Sequence, residues 1–287
     1  MDEAYLVNQP FVNTILHPSD FSAASENAFA HALAIALFRK TRFTLLNVSS
    51  DEDDWTKFPG VRDTLEKWGV LEEGSSQSDV FDKLNVQVKK ISLQSRRPLA
   101  AILGYLRSHP TDLIVLATER REGLPRWLKP SVAEKIAGKS KTMTLFVPGT
   151  EGGFVSLRDG SVHLNRILVP IDHDPDPMPA VEYATRVAAS MRKANTQVEV
   201  ILFHVGDSPE IPYIELPDAP ICTWKKMHKR GNVVDQIANA AQENAVGLVI
   251  MSTAGQEGIL DALRGSVTQQ VVRRVPCPLL AVPSWRY

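Results

Sequence analysis

Thr14-Ile15-Leu16-His17-Pro18-Ser19-Asp20 in the first half and Arg166-Ile167-Leu168-Val169-Pro170-Ile171-Asp172 in the second are one device written twice: a short apolar strand that ends on an aspartate. An internal duplication sets the architecture before any single residue is weighed. Behind each strand the apolar period changes from two to that of a helix, through Phe29, Leu33, Ala36 and Leu37 in one copy and Val181, Ala184, Val187, Ala188 and Met191 in the other. Each helix leads to a further strand, Phe43 to Val48 and Val198 to Val205. A helix, a wholly apolar strand, a loop, a second helix and a last strand follow. These run through Leu99–Leu106, Leu113–Ala117, Ser131–Ala137 and Thr144–Val147, and again through Val233–Ala241, Leu248–Met251, Ser266–Val272 and Leu279–Val282. Strands apolar at every position, alternating with amphipathic helices, belong to parallel sheets covered on both faces by right-handed crossovers. The fold class is therefore α/β, with two doubly wound parallel-sheet, Rossmann-like domains in tandem.

The chain of 287 residues suits two domains of ordinary size, spanning 1–150 and 163–287. Gly149 to Val162, with Gly149, Gly152, Gly153 and Gly160, reads as the linker. The copies differ in the middle. The first inserts a stretch with Trp55, Trp68 and a helix-like Val80 to Leu84, whereas the second has only the proline-rich Gly206 to Pro220, so one crossover helix is expected to be missing there. With 44% hydrophobic and 23% charged residues the composition is that of a packed globular protein. A formal net charge of -1 gives no footprint for a nucleic acid. No apolar run reaches the roughly 20 residues that span a bilayer, and the opening residues lack a signal-peptide pattern. Two scattered cysteines, Cys222 and Cys277, fit a reducing compartment. A cytoplasmic protein that binds neither nucleic acid nor membrane is expected.

Chemistry concentrates where Leu248–Met251 runs into Ser252-Thr253-Ala254-Gly255, then nine residues, then Gly265-Ser266-Val267 at the start of a helix. Glycines in such a turn let backbone N–H groups come close to phosphate oxygens, and a helix start adds unpaired donors. Helix capping also accounts for the serines: Ser266-Val267-Thr268-Gln269 and Ser131-Val132-Ala133-Glu134 both fit the capping box. Capping needs neither Gly255 nor Gly265, which favours an anion.

At this point the chain resembles the universal stress protein family, twice over and along nearly its whole length. ATP-binding members of that family carry G-x2-G-x9-G-[ST], and Ser252, Gly255, Gly265 and Ser266 stand at the four positions, with serine in place of the first glycine. The resemblance implies an adenine nucleotide alpha hydrolase-like fold and an adenine-nucleotide site, for ATP with Mg²⁺, in the second domain. Gly255, Gly265, Ser266 and Val267 would hold the phosphates, Asp172 would contact the nucleoside, and the backbone at Val205 would border adenine. It also implies intrachain pairing of the domains through their last strands and dimerisation of whole chains, in a stress-response or regulatory role without a conventional catalytic centre.

In the first half Ala117, Arg120, Pro130 and Ser131 take the same positions. Pro130 has no N–H to donate and Arg120 carries a long side chain, so this site is expected to be degenerate. Asp172-His173-Asp174-Pro175-Asp176 begins like a calcium loop, but Pro177 and Tyr183 stand where glycine and glutamate are required. Asp172 keeps a functional reading because open α/β sheets bind ligands at the carboxyl ends of their strands, and Asp20 is its twin. His204, inside an apolar strand, reads as a hydrogen-bonded core histidine and Cys277 as a small buried residue. Trp55, Phe58, Trp68 and Phe81 suggest packing or an apolar pocket. Two rival functions follow: slow ATP hydrolysis, for which only Arg264 lies on the loop as a charge-compensating group, and a nucleotide-free scaffold binding a protein or apolar ligand.

Overall fold

The computed structural model describes residues 12–39, 41–50, 54–118, 132–149, 153–191, 196–207, 211–253 and 267–284. In chain order the first half runs β1 (Thr14–Pro18), α1 (Ala23–Arg39), β2 (Arg42–Ser49), α2 (Val61–Lys67), α3 (Asp79–Leu84), β3 (Gln87–Gln94), α4 (Pro98–Ser108), β4 (Leu113–Thr118), α5 (Val132–Ser140) and β5 (Met143–Pro148). The second half runs β6 (Arg166–Pro170), α6 (Met178–Met191), β7 (Val198–Val205), β8 (Cys222–Lys229), α7 (Val233–Glu243), β9 (Leu248–Thr253), α8 (Val267–Val272) and β10 (Leu279–Pro283).

All ten strands form one sheet in the order β3-β2-β1-β4-β5-β10-β9-β6-β7-β8. Pairing is parallel within each half and antiparallel at the join, where Leu279, Leu280 and Ala281 face Phe146, Leu145 and Thr144. Each half has the strand order 3-2-1-4-5 of a doubly wound fold, so the expected α/β class holds.

Strand residues alternate between two apolar layers, as a period of two requires. Ile15, Phe43, Val115, Leu145 and Val169 pack on one face beneath α1, the insert and α6. Leu16, Leu46, Ile114, Phe146 and Leu168 pack on the other beneath α4, α5, α7 and α8. Both layers run through both halves, and α1 touches α6 directly.

Three features go beyond the sequence pattern. The strands β3 and β8 are sheet edges, partly exposed and rich in lysine. Between β7 and β8 no helix occurs among the described residues, whereas the first half has α2 and α3 at that place. The glycine-rich joining segment is built in rather than slack. Phe154, Val155 and Val162 are buried, Val155 bridges Val162, and the Ser156 amide donates to Ser161 at 2.9 Å.

Candidate functional site

In each half the first strand parts from its neighbour toward the carboxyl end. The β6–β9 ladder covers only Ile167↔Leu248 and Leu168↔Val249, while β6 stays registered with β7 as far as Pro170↔Phe203. Pro170 has no N–H to continue a ladder, and the Ile171 amide turns to Phe203 O at 2.9 Å. A crevice therefore opens between the ends of β6 and β9, at the point where the strand order reverses, which is where doubly wound sheets take their ligands.

Asp172 stands on the rim of this crevice. Its side chain is 60% exposed, and Oδ1 accepts from the His173 amide at 2.8 Å with the His173 ring 3.4 Å away. Two imidazoles brace the loops around it. His204, buried as its strand pattern suggested, lies 3.1 Å through Nδ1 from the carbonyl of Ile171, the residue before Asp172. On the paired position of β8, His228 places Nε2 2.8 Å from the carbonyl of Gly206, the residue after Val205. Val205 itself closes β7 and is 9% exposed.

Ser252, second from the end of β9, is buried. Its Oγ accepts from the Ala180 amide in the first turn of α6 at 3.3 Å. A helix start leaves such amides without intrahelical partners. The serine at the first glycine position thus ties the floor of the crevice to the helix above it, and its own proton remains available to a ligand. Val267 opens α8 and is exposed. Gly255, Gly265 and Ser266 lie outside the described residues, as do Arg120, Pro130 and Ser131 of the first half.

The same place in the first half is organised differently. The β1–β4 ladder again has only two pairs, Ile15↔Leu113 and Leu16↔Ile114. Beyond them His17, at the position of Val169, spans the gap with Nδ1 donating to Val115 O at 2.9 Å. The ring is fully buried, and burial depresses its pKa to about 4 against smaller opposing contributions from Val115, Asp20 and Ser25, so it is the neutral imidazole that closes this crevice. Asp20, unlike Asp172, is committed to the start of α1: Oδ1 accepts from the Ser22 amide at 3.0 Å and from Ser25 Oγ at 2.7 Å. Burial works to raise its pKa, but the hydrogen bonds from Ser22 and Ser25 prevail and hold it below the ordinary carboxylate value.

Glu134 and Gln269, the fourth residues of the two capping boxes, meet across the join. Gln269 Nε2 donates to Glu134 Oε2, and Arg273 grips both carboxylate oxygens at 2.8 and 2.7 Å. The helices that follow the two equivalent loops are therefore bonded to each other. Among the described residues no group of three or more His, Cys, Asp or Glu is placed to hold a metal, and no helix is long and apolar enough to cross a membrane.

Among solved structures the chain resembles a universal stress protein from Archaeoglobus fulgidus, 17% identical with a TM-score of 0.60, covering 94% of this chain and 98% of that one. It also resembles a putative universal stress protein from Pseudomonas aeruginosa, 14% identical, TM-score 0.56, covering 97% and 95%. The cytoplasmic domain of a prokaryotic cation chloride cotransporter is similar too, 12% identical, TM-score 0.52, covering 96% and 97%. At such identities the likeness is one of fold alone. No curated protein matches the chain. The model of the universal stress protein family matches residues 12–148 and 213–283, well over half of the chain, on both sides of the join. Two registers of one doubly wound unit, each opening a crevice behind its first strand, and a family match that takes in both halves lead to one conclusion: the chain belongs to the universal stress protein family.

Proposed function

We propose that this is a stress-responsive regulatory protein of two domains, 1–150 and 163–287, of which the second binds ATP with Mg²⁺ and the first serves as its permanent partner. The observation that carries this reading is the contrast between the two crevices. In the second half the crevice has valine at residue 169 and an exposed Asp172 on its rim. In the first, His17 spans the gap and Asp20 is spent on the helix start. The sequence contrast points the same way, since Gly255, Gly265 and Ser266 fit the spacing of the family's ATP-binding members while Pro130 removes a donor from the other loop.

The open ends of β6 and β9 suit a nucleoside, and the braced loops would hold it in place: Asp172 toward the sugar and the Val205 backbone beside the base. The amides at Gly255, Gly265, Ser266 and Val267 would receive the phosphates, with the Ser252 hydroxyl proton directed to the same ligand. Mg²⁺ would lower the charge of the phosphate chain. In this reading the nucleotide acts as an effector. The β5–β10 ladder does within one chain what a twofold dimer does between two. A cytoplasmic location and further dimerisation of whole chains belong to the same proposal.

Thermal denaturation with ATP and Mg²⁺ tests it. A ligand at 1,000 times its dissociation constant stabilises by about 4 kcal/mol, and Gly265→Pro, which removes a donor from the loop, is expected to abolish the shift. An unchanged melting temperature at millimolar ATP, or a shift that survives Gly265→Pro, overturns the assignment. Phosphate release lost with the same substitution would add hydrolysis to the site.

A further inference from the structure

The stretch between β2 and β3 builds a cavity that no comparison assigns. It measures about 340 Å³ and lies between α1 and α2, within the range of small-molecule sites. It adjoins the turn that follows β1: Ser19 and Ser22 of that turn, and Ser25 at the start of α1, also line it. Glu26 and Ala30 line it from α1, and Thr64 and Lys67 line it from α2, so it extends from that turn over the helical face of the first half.

One part of its wall is aromatic. Phe21, Phe29 and Trp68 all face the space, and Leu157 of the joining segment completes the wall. Trp68 is held in place rather than loosely packed: Nε1 donates to Leu157 O at 3.3 Å, and Gly160 lies so close that a Cβ there would sit 2.3 Å from the ring. Aromatic walls of fixed orientation favour a flat, apolar ring, which gains from edge and face contacts beyond its buried area.

The polar groups of the lining set the charge of the ligand. Two lysines, Lys57 and Lys67, stand against one carboxylate, Glu26. Lys57 is already paired with Asp54 at 3.4 Å. Lys67 makes no ion pair among the described residues; Ser22 lies on the same lining, while the Thr64 hydroxyl donates to Gly60 O at 2.8 Å. A cation beside an apolar pocket, with the Ser22 hydroxyl at hand, suits an anion whose body is apolar.

We propose that this cavity binds a small aromatic carboxylate, with the ring against Phe21, Phe29 and Trp68 and the carboxylate at Lys67. Because the wall includes the segment that joins the halves, occupancy ties α1, α2 and that segment together. The site is independent of the nucleotide reading: neither Asp172 nor the glycine loop takes part in it.

The probe is 2-naphthoate, compared with 2-naphthamide, its neutral counterpart, on the full chain by saturation-transfer NMR and calorimetry, with and without ATP. Naphthoate is expected to bind at least about tenfold more tightly than the amide, equivalent to about 1.4 kcal/mol. Lys67→Gln is expected to bring naphthoate to the level of the amide while leaving the amide unchanged. Thr64→Trp, which fills the space, is expected to abolish both, with circular dichroism confirming the fold. Loss of the nucleotide effect alone leaves these outcomes untouched. Equal affinity for the two probes, no saturation transfer from millimolar naphthoate, or full binding by Lys67→Gln or by a folded Thr64→Trp variant overturns the proposal.

Discussion

His17 and His31 show what one buried side chain does to the pH dependence of the whole fold. Burial depresses both to about 4, from an ordinary value of 6.5, and each has an Nε2 with no hydrogen-bond partner. Below pH 6.5 the unfolded chain takes up protons that the folded chain resists down to about pH 4. Stability contributed by the neutral rings is therefore complete above pH 6.5 and is lost progressively as the pH falls toward 4, by about 3 kcal/mol for each ring. Urea midpoints measured at pH 7, 5.5 and 4.5 should fall through this window, and His31→Leu should flatten the slope; a midpoint independent of pH over the interval contradicts the assignment. The residues of the candidate site were only partly legible in this way. Asp172 is marked by its position after a strand and Ser252 and the glycines by their spacing, whereas Val205 enters only through the family resemblance. His17 does not, because its partner Val115 lies 98 residues away, and a lone histidine in an apolar strand looks the same whether it spans a crevice or fills a core. The tie from Ser252 to the Ala180 amide, across 72 residues, was hidden for the same reason.

At the scale of elements, legibility followed burial. Strands covered on both faces, such as β4, β5 and β10, are apolar at nearly every position and were plain in the sequence. The edge strands β3, Gln-Val-Lys-Lys-Ile-Ser-Leu-Gln, and β8, Cys-Thr-Trp-Lys-Lys-Met-His-Lys, were not, since an edge carries lysines that discourage pairing with another sheet. The joining segment misled for the opposite reason. Its glycines look like slack, yet Gly160 has φ +66° and packs directly on Trp68, and Gly153, at φ +142°, packs on His31. Glycine is required at both positions by backbone conformation and by space together. Gly160→Ala is accordingly expected to cost about 2 kcal/mol or more, from the left-handed backbone and the displaced indole combined. Denaturant unfolding followed by tryptophan fluorescence measures the loss, and a variant as stable as the parent would mean that the segment does not pack on the insert.

For the whole molecule the decisive contact is the one that breaks the pseudo-twofold symmetry. Symmetric duplication would place like residues face to face across the β5–β10 join, and two glutamates there would repel. The chain instead sets Glu134 against Gln269, and Arg273 stands where the first half has Gly138, so that one carboxylate meets one amide and one guanidinium. The carboxylate side chain is 7% exposed and the guanidinium 22%, so the pair is largely withdrawn from water. Guanidinium and carboxylate reinforce each other, and the arginine is held charged more firmly by Glu134, chiefly through their hydrogen bonds. Removing Arg273 takes the counter-charge from a largely buried carboxylate that keeps neutral help from Gln269 at this join: Arg273→Met is expected to destabilise the protein by about 1.5–3 kcal/mol. Replacing both, as Glu134→Met with Arg273→Met, removes the uncompensated charge and should recover most of that loss, because a well-packed apolar pair costs no desolvation of ions. Since both apolar layers run through both halves, the single variant should lower the stability of the whole chain in one transition. Circular dichroism and fluorescence melts that coincide support this, whereas a first half that melts at its original temperature while the second melts early would show that the join does not couple them.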